Sequence, residues 1–205
     1  MAELSARRAK SFLSATAALA TATGLSGCIN IESSFDGVPV TELDMSGGAP
    51  TEITLAGPDD LFLTVGEKLV IEVEGDDKVV KDLRFRLEDD ALKIGRESGW
   101  DSARGKAIVR VTMPAPQRVS LAGSGDLKAE TLASSAEVDL AGSGAMNIGT
   151  IASDELEIDI AGAGKLTGKG TAKTLDISIA GSGDVDFADL KADEVEISIA
   201  GSGDI

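Results

Sequence analysis

Almost all the side chains that could do chemistry in this sequence are carboxylates. It holds 35 Asp and Glu against 19 Lys and Arg, with no His, no Tyr and one Cys. Without histidine, Ser-His-Asp and Cys-His constellations and histidine-ligated metal centres are excluded within a single chain. Carboxylates alone leave two options. One is calcium, which takes roughly six to eight oxygen ligands and suits acidic turns. The candidates are Asp59-Asp60, Asp76-Asp77 and Asp89-Asp90, together with the recurring position Asp126, Ala145, Lys165, Asp184 and Asp204. Ala145 and Lys165 interrupt that last series, and the acidic pairs read as solvated turns, so no metal is expected. The other option is acid-base cleavage of a glycan by two carboxyl groups. Sugar sites of that kind need aromatic platforms, and aromatic residues make up only 3% of this chain. The sequence therefore reads as a non-enzyme without a cofactor.

Serine is the remaining nucleophile. Ser124, Ser143 and Ser182 sit in Gly-Ser-Gly steps with no base beside them, so they read as small polar turn residues. The same steps do not cradle phosphate, because strands follow them and no Gly-Lys-Ser/Thr is present.

These steps belong to a repeat. Ala-Gly-Ser-Gly, once Ala-Gly-Ala-Gly, begins at Ala122, Ala141, Ala161, Ala180 and Ala200, at intervals of 19, 20, 19 and 20 residues. Before each comes an alternating triplet: Val119-Ser120-Leu121, Val138-Asp139-Leu140, Ile158-Asp159-Ile160, Ile177-Ser178-Ile179 and Ile197-Ser198-Ile199. Period-two alternation marks a strand with one buried and one wet face, and β-branched residues suit the pleat. The glycines supply the positive φ that a tight corner demands. Further apolar columns are expected at Leu127, Met146, Leu166, Val185 and Ile205, at Leu132, Ile151 and Leu190 with Thr171 the exception at its place in the column, and at Ala136, Leu156, Leu175 and Val195. The one-residue difference in repeat length is placed between the last two columns. No unit buries a core alone, so the units must stack, with strands about 4.8 Å apart. The expected fold is all-β, a parallel β-helix (β-solenoid) of about 20-residue rungs, regular over residues 119–205 and less regular over 38–118.

Residues 1–27 read as a signal peptide: Arg7, Arg8 and Lys10 precede a weakly apolar stretch from Phe12 to Leu25. Leu25-Ser26-Gly27-Cys28 resembles a bacterial lipobox, in which Cys28 would be acylated and become the new amino terminus. Residues 28–37 then form a tether. Ile29 and Asn30 lack the Asp associated with inner-membrane retention, which points to the outer membrane. Removing Glu3, Arg7, Arg8 and Lys10 moves the formal charge from −16 to −18. That excess repels phosphate backbones and excludes nucleic acid as a partner.

Strands are also expected at Val38–Met45, Glu52–Ala56, Leu61–Val65, Lys68–Glu74, Asp82–Leu87, Ala91–Ile94 and Ala107–Met113, with no helix of ten residues or more. Leu55-Ala56-Gly57 reads as a decayed repeat opening, so the solenoid should start before the clear repeats. Arg96 to Lys106 is a loop carrying Trp100, the only Trp. That side chain either touches a partner or packs as a lid over an open edge.

Ala91-Leu92-Lys93-Ile94, Ala107 to Pro114, and Val119 running into Gly123-Ser124-Gly125-Asp126 resemble the bacterial family called putative auto-transporter adhesin, head GIN domain. The resemblance spans about residues 38–205. It implies a right-handed β-helix, often behind a lipoprotein signal, with an adhesin or envelope role, and it carries over no catalytic or ligand residues.

The expectation is a lipid-anchored envelope protein contacting a protein or glycan ligand through the wet column Ser120, Asp139, Asp159, Ser178 and Ser198, with Trp100 a further candidate. A periplasmic assembly element, self-associating edge to edge near Ile205, is the alternative, and a carbohydrate-active enzyme the third.

Overall fold

In a computed structural model of the chain, residues 35–97 and 104–205 are described. Cys28, the signal segment and Trp100 lie outside them. In chain order the strands are β1 (Glu52–Gly57), β2 (Asp60–Val65), β3 (Val70–Glu74), β4 (Leu83–Glu88), β5 (Ala91–Arg96), β6 (Ile108–Met113), β7 (Arg118–Gly123), β8 (Asp126–Thr131), β9 (Ser135–Gly142), β10 (Ala145–Gly162), β11 (Lys165–Gly181) and β12 (Asp184–Gly201). One short helix, α1 (Asp77–Asp82), lies between β3 and β4; Asp76 caps it by accepting the Lys78 amide.

The strands stack in parallel into a β-solenoid. On its first face β5, β1, β7, β9 and the C-terminal halves of β10, β11 and β12 follow one another. On its second face the order is β6, β2, β8 and the N-terminal halves of β10 to β12. Leu55, Ala56 and Gly57 pair with Leu121, Ala122 and Gly123, so the decayed repeat is a true rung.

Spatial order departs from chain order at the N-terminal end. The chain lays down β1 and β2, runs outward through β3 and β4, and returns as β5 and β6 on the far side of β1 and β2. β3 and β4 pair antiparallel with β6 and β5 and terminate the stack. Pro114 to Gln117 then leads past the first rung to β7, where the Gln117 amide donates to the Thr51 carbonyl at 2.7 Å.

Inward side chains form continuous columns. Leu92, Ile53, Val119, Val138, Ile158 and Ile177 stand in register, as do Ile94, Leu55, Leu121, Leu140, Ile160 and Ile179, all buried. The core behind both faces is one cluster.

The corner explains the glycines. Gly142 has φ 120°, and a Cβ there would lie 2.3 Å from the Gly123 carbonyl oxygen. That oxygen accepts the Ser143 and Gly144 amides at 3.0 and 3.1 Å. The turn thus needs both the conformation and the absent side chain.

Two expectations are corrected. Residues 38–45 are not a strand: Val38 makes an isolated bridge to Phe85, and Val40–Glu42 is a 3-10 turn opened by Pro39. Proline has no amide to give a ladder and its fixed φ suits a turn start. Thr171 does not join the Leu132 and Ile151 column; Gly170 pairs with Ile151 and Leu190 there, while Thr171 is exposed beside Ala152 and Lys191. The cause is a register shift between Ile148 and Ile151, with a second between Thr167 and Lys169. Length variation between these rungs is absorbed a corner earlier than expected, around Gly168 and Gly170.

Candidate functional site

Parallel, in-register pairing forces outward side chains into columns as well. On the first face Ser120, Asp139, Asp159, Ser178 and Ser198 stand one per rung, with Thr54 and Lys93 continuing the column toward the N-terminal end. The five predicted contact residues are therefore brought together. They are unequally wet: Ser120 is buried at 7%, Asp139, Asp159 and Ser178 are half-buried, and Ser198 is exposed. The Ser120 hydroxyl donates to Asp139 Oδ2 at 2.8 Å, which turns the inner end of the column toward structural duty.

A second outward column, which sequence reading passed over, runs beside it: Glu52, Arg118, Glu137, Glu157, Asp176 and Glu196. The signal was present, since an acidic residue precedes the alternating triplet in every clear repeat but the first. Arg118 binds Glu137, reaches Asp139 Oδ2 through Nη1 at 3.1 Å, and lies 4.0 Å from Glu52. Carboxylate oxygens of Glu137, Asp139 and Asp159 lie within 4.8 Å of one another. A groove of about 490 Å³ opens here, lined by Glu52, Gln117, Arg118, Ser135, Glu137 and Glu157 among others.

The crowding shifts protonation. Partial burial and the neighbouring Asp139 carboxylate push the Glu137 pKa up, and they outweigh Arg118, which pulls it down. Burial, then Asp159 and Asp176, raise Glu157; burial, then Asp139 and Asp176, raise Asp159. For Arg118, burial would favour the neutral form, but Asp139, Glu137 and Glu52 prevail and raise its pKa.

The acidic turns are put to other uses. Asp59 is fully buried and bound by Arg96 and the Ala107 amide, contrary to the solvated turn expected for it. Water is replaced at Asp59 by a guanidinium and a backbone donor. Asp60 receives Lys106 at 2.8 Å, Asp76 caps α1, and Asp89 and Asp90 hold positive φ in the β4–β5 turn. The recurring position Asp126, Ala145, Lys165, Asp184 and Asp204 is a real column, and Ala145 and Lys165 do interrupt it. Ser124, Ser143 and Ser182 are exposed at corners, their amides donating to the glycine carbonyl of the preceding rung.

Residues 49–205 match the sequence family described as putative auto-transporter adhesin, head GIN domain. The chain belongs to this family. Its fold is shared with solved structures: one described as a putative adhesin from Parabacteroides distasonis has TM-score 0.55 and 22% identity, covering 77% of this chain and 76% of that one. A putative adhesin from Parabacteroides merdae gives 0.54 and 16%, covering 76% and 75%. A protein from Parabacteroides distasonis described as a putative lipid binding protein gives 0.51 and 16%, covering 77% and 93%. At these identities the likeness speaks for the fold. Comparison with curated proteins finds no significant match. No helix among the described residues is long and apolar enough to cross a membrane.

Proposed function

We propose that this chain is a non-enzymatic protein of the bacterial cell envelope, held at the outer membrane by a lipid on Cys28, which uses the first face of its solenoid for adhesion or protein contact. The observation that carries the reading is the pair of outward columns, fixed in register across six strands and offering carboxylates and small hydroxyls with Arg118 the one cation among them. Such a surface is pre-organised, so docking a partner immobilises little of it. Membership of an adhesin family supports the same reading. Against catalysis, neither outward column carries an aromatic residue on which a sugar could stack, and the closest carboxylates are tied to one arginine. The test replaces Asp139, Asp159, Ser178 and Ser198 with Lys in a secreted Cys28→Ser chain. Binding to bacterial and host-cell surfaces should fall at least about tenfold (~1.4 kcal/mol) while the variant still unfolds in one cooperative urea transition; unchanged binding would remove the assignment.

A second reading is edge-to-edge self-association through β12. Val195, Ile197 and Ile199 repeat the Leu175, Ile177 and Ile179 columns yet stand 54%, 48% and 44% exposed, and an unpaired strand edge invites another chain. Sedimentation of the same secreted chain should then depend on concentration, and a monomer throughout the accessible range would count against it.

A further inference from the structure

The first face stacks like charges at the spacing of a β-ladder. Glu137, Glu157, Asp176 and Glu196 occupy successive rungs, and Asp139 and Asp159 stand beside them. Neighbouring strands lie about 4.8 Å apart, and a like-charged pair directly across two strands is destabilising. Cations are confined to one end. β7 supplies Arg118; β5 and β4 supply Lys93 and Arg86, paired with each other and separated from Asp139 by Thr54 and Ser120. From β1 comes Glu52, and Glu155 and Glu194 flank the stack on β10 and β12. No cation stands beside Glu157, Asp159 or Asp176 in these columns; Arg118 on β7 pulls Glu157 and Asp159 down, and burial with the neighbouring carboxylates outweighs it.

We infer that this carboxylate stack is a pH-sensitive element of the fold: proton uptake on the outer face draws the β9 to β11 rungs together, and its loss at neutral pH loosens them. The inference concerns the face assigned above to partner contact, but its readout is stability and holds whatever binds there. Glu137, Glu157 and Asp159 each have a pKa raised above the ordinary value, first by burial. A carboxyl raised in this way contributes stability that is fully present below its unfolded value, about 4 to 4.5, and is lost as pH rises through the folded pKa. The direction is opposite to the usual acid denaturation, in which paired carboxylates lose their partners on protonation. Acidification also removes charge from the face itself, so contact and stability respond to the same protons.

Urea unfolding of the full chain between about pH 8 and pH 4 tests this, with Glu157→Gln and Asp159→Asn beside a remote control, Glu67→Gln. The expected result is a wild-type midpoint that rises as pH falls. The two stack variants should have higher midpoints than wild type at pH 8 and converge with it as pH falls toward about 4, giving a flatter profile, while Glu67→Gln keeps the wild-type slope. A midpoint that falls on acidification overturns the inference. So does a shift in the stack variants no larger than that of Glu67→Gln, because the effect would then be one of net charge. Unchanged partner binding by the lysine variant, together with a wild-type midpoint that rises on acidification, would remove the contact reading and leave this one standing.

Discussion

Arg96 closes on Asp59 with both arms, Nε to Oδ2 at 2.8 Å and Nη2 to Oδ1 at 2.5 Å. The pair sits at the corner position that Gly125, Gly144, Gly164, Gly183 and Gly203 occupy in later rungs, where each glycine would bring a Cβ against the preceding rung. On β2's rung the neighbours are instead Gly105, whose carbonyl accepts Arg96 Nη2 at 2.7 Å, and Ala107, whose amide donates to Asp59 Oδ1 at 2.7 Å. A carboxylate replaces glycine where the chain enters β6.

Asp59→Asn keeps the size and removes the charge opposite Arg96. Breaking a buried pair by removing one partner costs about 3 to 5 kcal/mol. Urea denaturation should show a loss in that range, and a loss under about 1 kcal/mol would mean that the corner does not depend on the pair.

Gly142→Ala places a methyl 2.3 Å from the Gly123 oxygen at φ 120°. Backbone strain alone costs about 1 to 3 kcal/mol, and the clash adds to it. Ser143→Ala, one residue on and exposed, should stay within about 0.5 kcal/mol. Equal effects at the two sites in thermal melts would contradict the stacked corner.

Much of the architecture was legible because a solenoid writes its spacing into the chain. The triplets at Val119, Val138, Ile158, Ile177 and Ile197 gave strand, face and register together, and Leu55-Ala56-Gly57 gave the hidden first rung. The largest miss was non-local. That β5 and β6 pass to the far side of β1 and β2 depends on pairing across dozens of residues, for which no local pattern exists. The 3-10 turn after Pro39 was missed because Val38 and Val40 alternate like a strand, and the Gly170 column because a bulge shifts register without changing composition. In the candidate site, the Ser120 column was visible by its period. The neighbouring column of Glu137, Glu157, Asp176 and Glu196 stood one position earlier in the same repeats and was passed over, since solvent-facing acids in an acidic protein carry no signal until they stack.

Leu140→Ala and Ile199→Ala remove aliphatic side chains from one column at two depths. Leu140 is buried at 1% and Ile199 is 44% exposed, so the first should cost about 2 to 5 kcal/mol and the second under about 1 kcal/mol. A large loss at Ile199 in the isolated chain would mean that something covers the β12 end in solution, and its concentration dependence would show whether that is a second copy.

The claim that the chain is a lipid-anchored envelope protein displaying a contact face is tested most directly by protease digestion of intact cells, compared with cells whose envelope has been opened and with a Cys28→Ser variant. The account predicts digestion on intact cells and release of the variant from the membrane fraction. Protection until the envelope is opened, or a wild-type protein that never sediments with membranes, would contradict it.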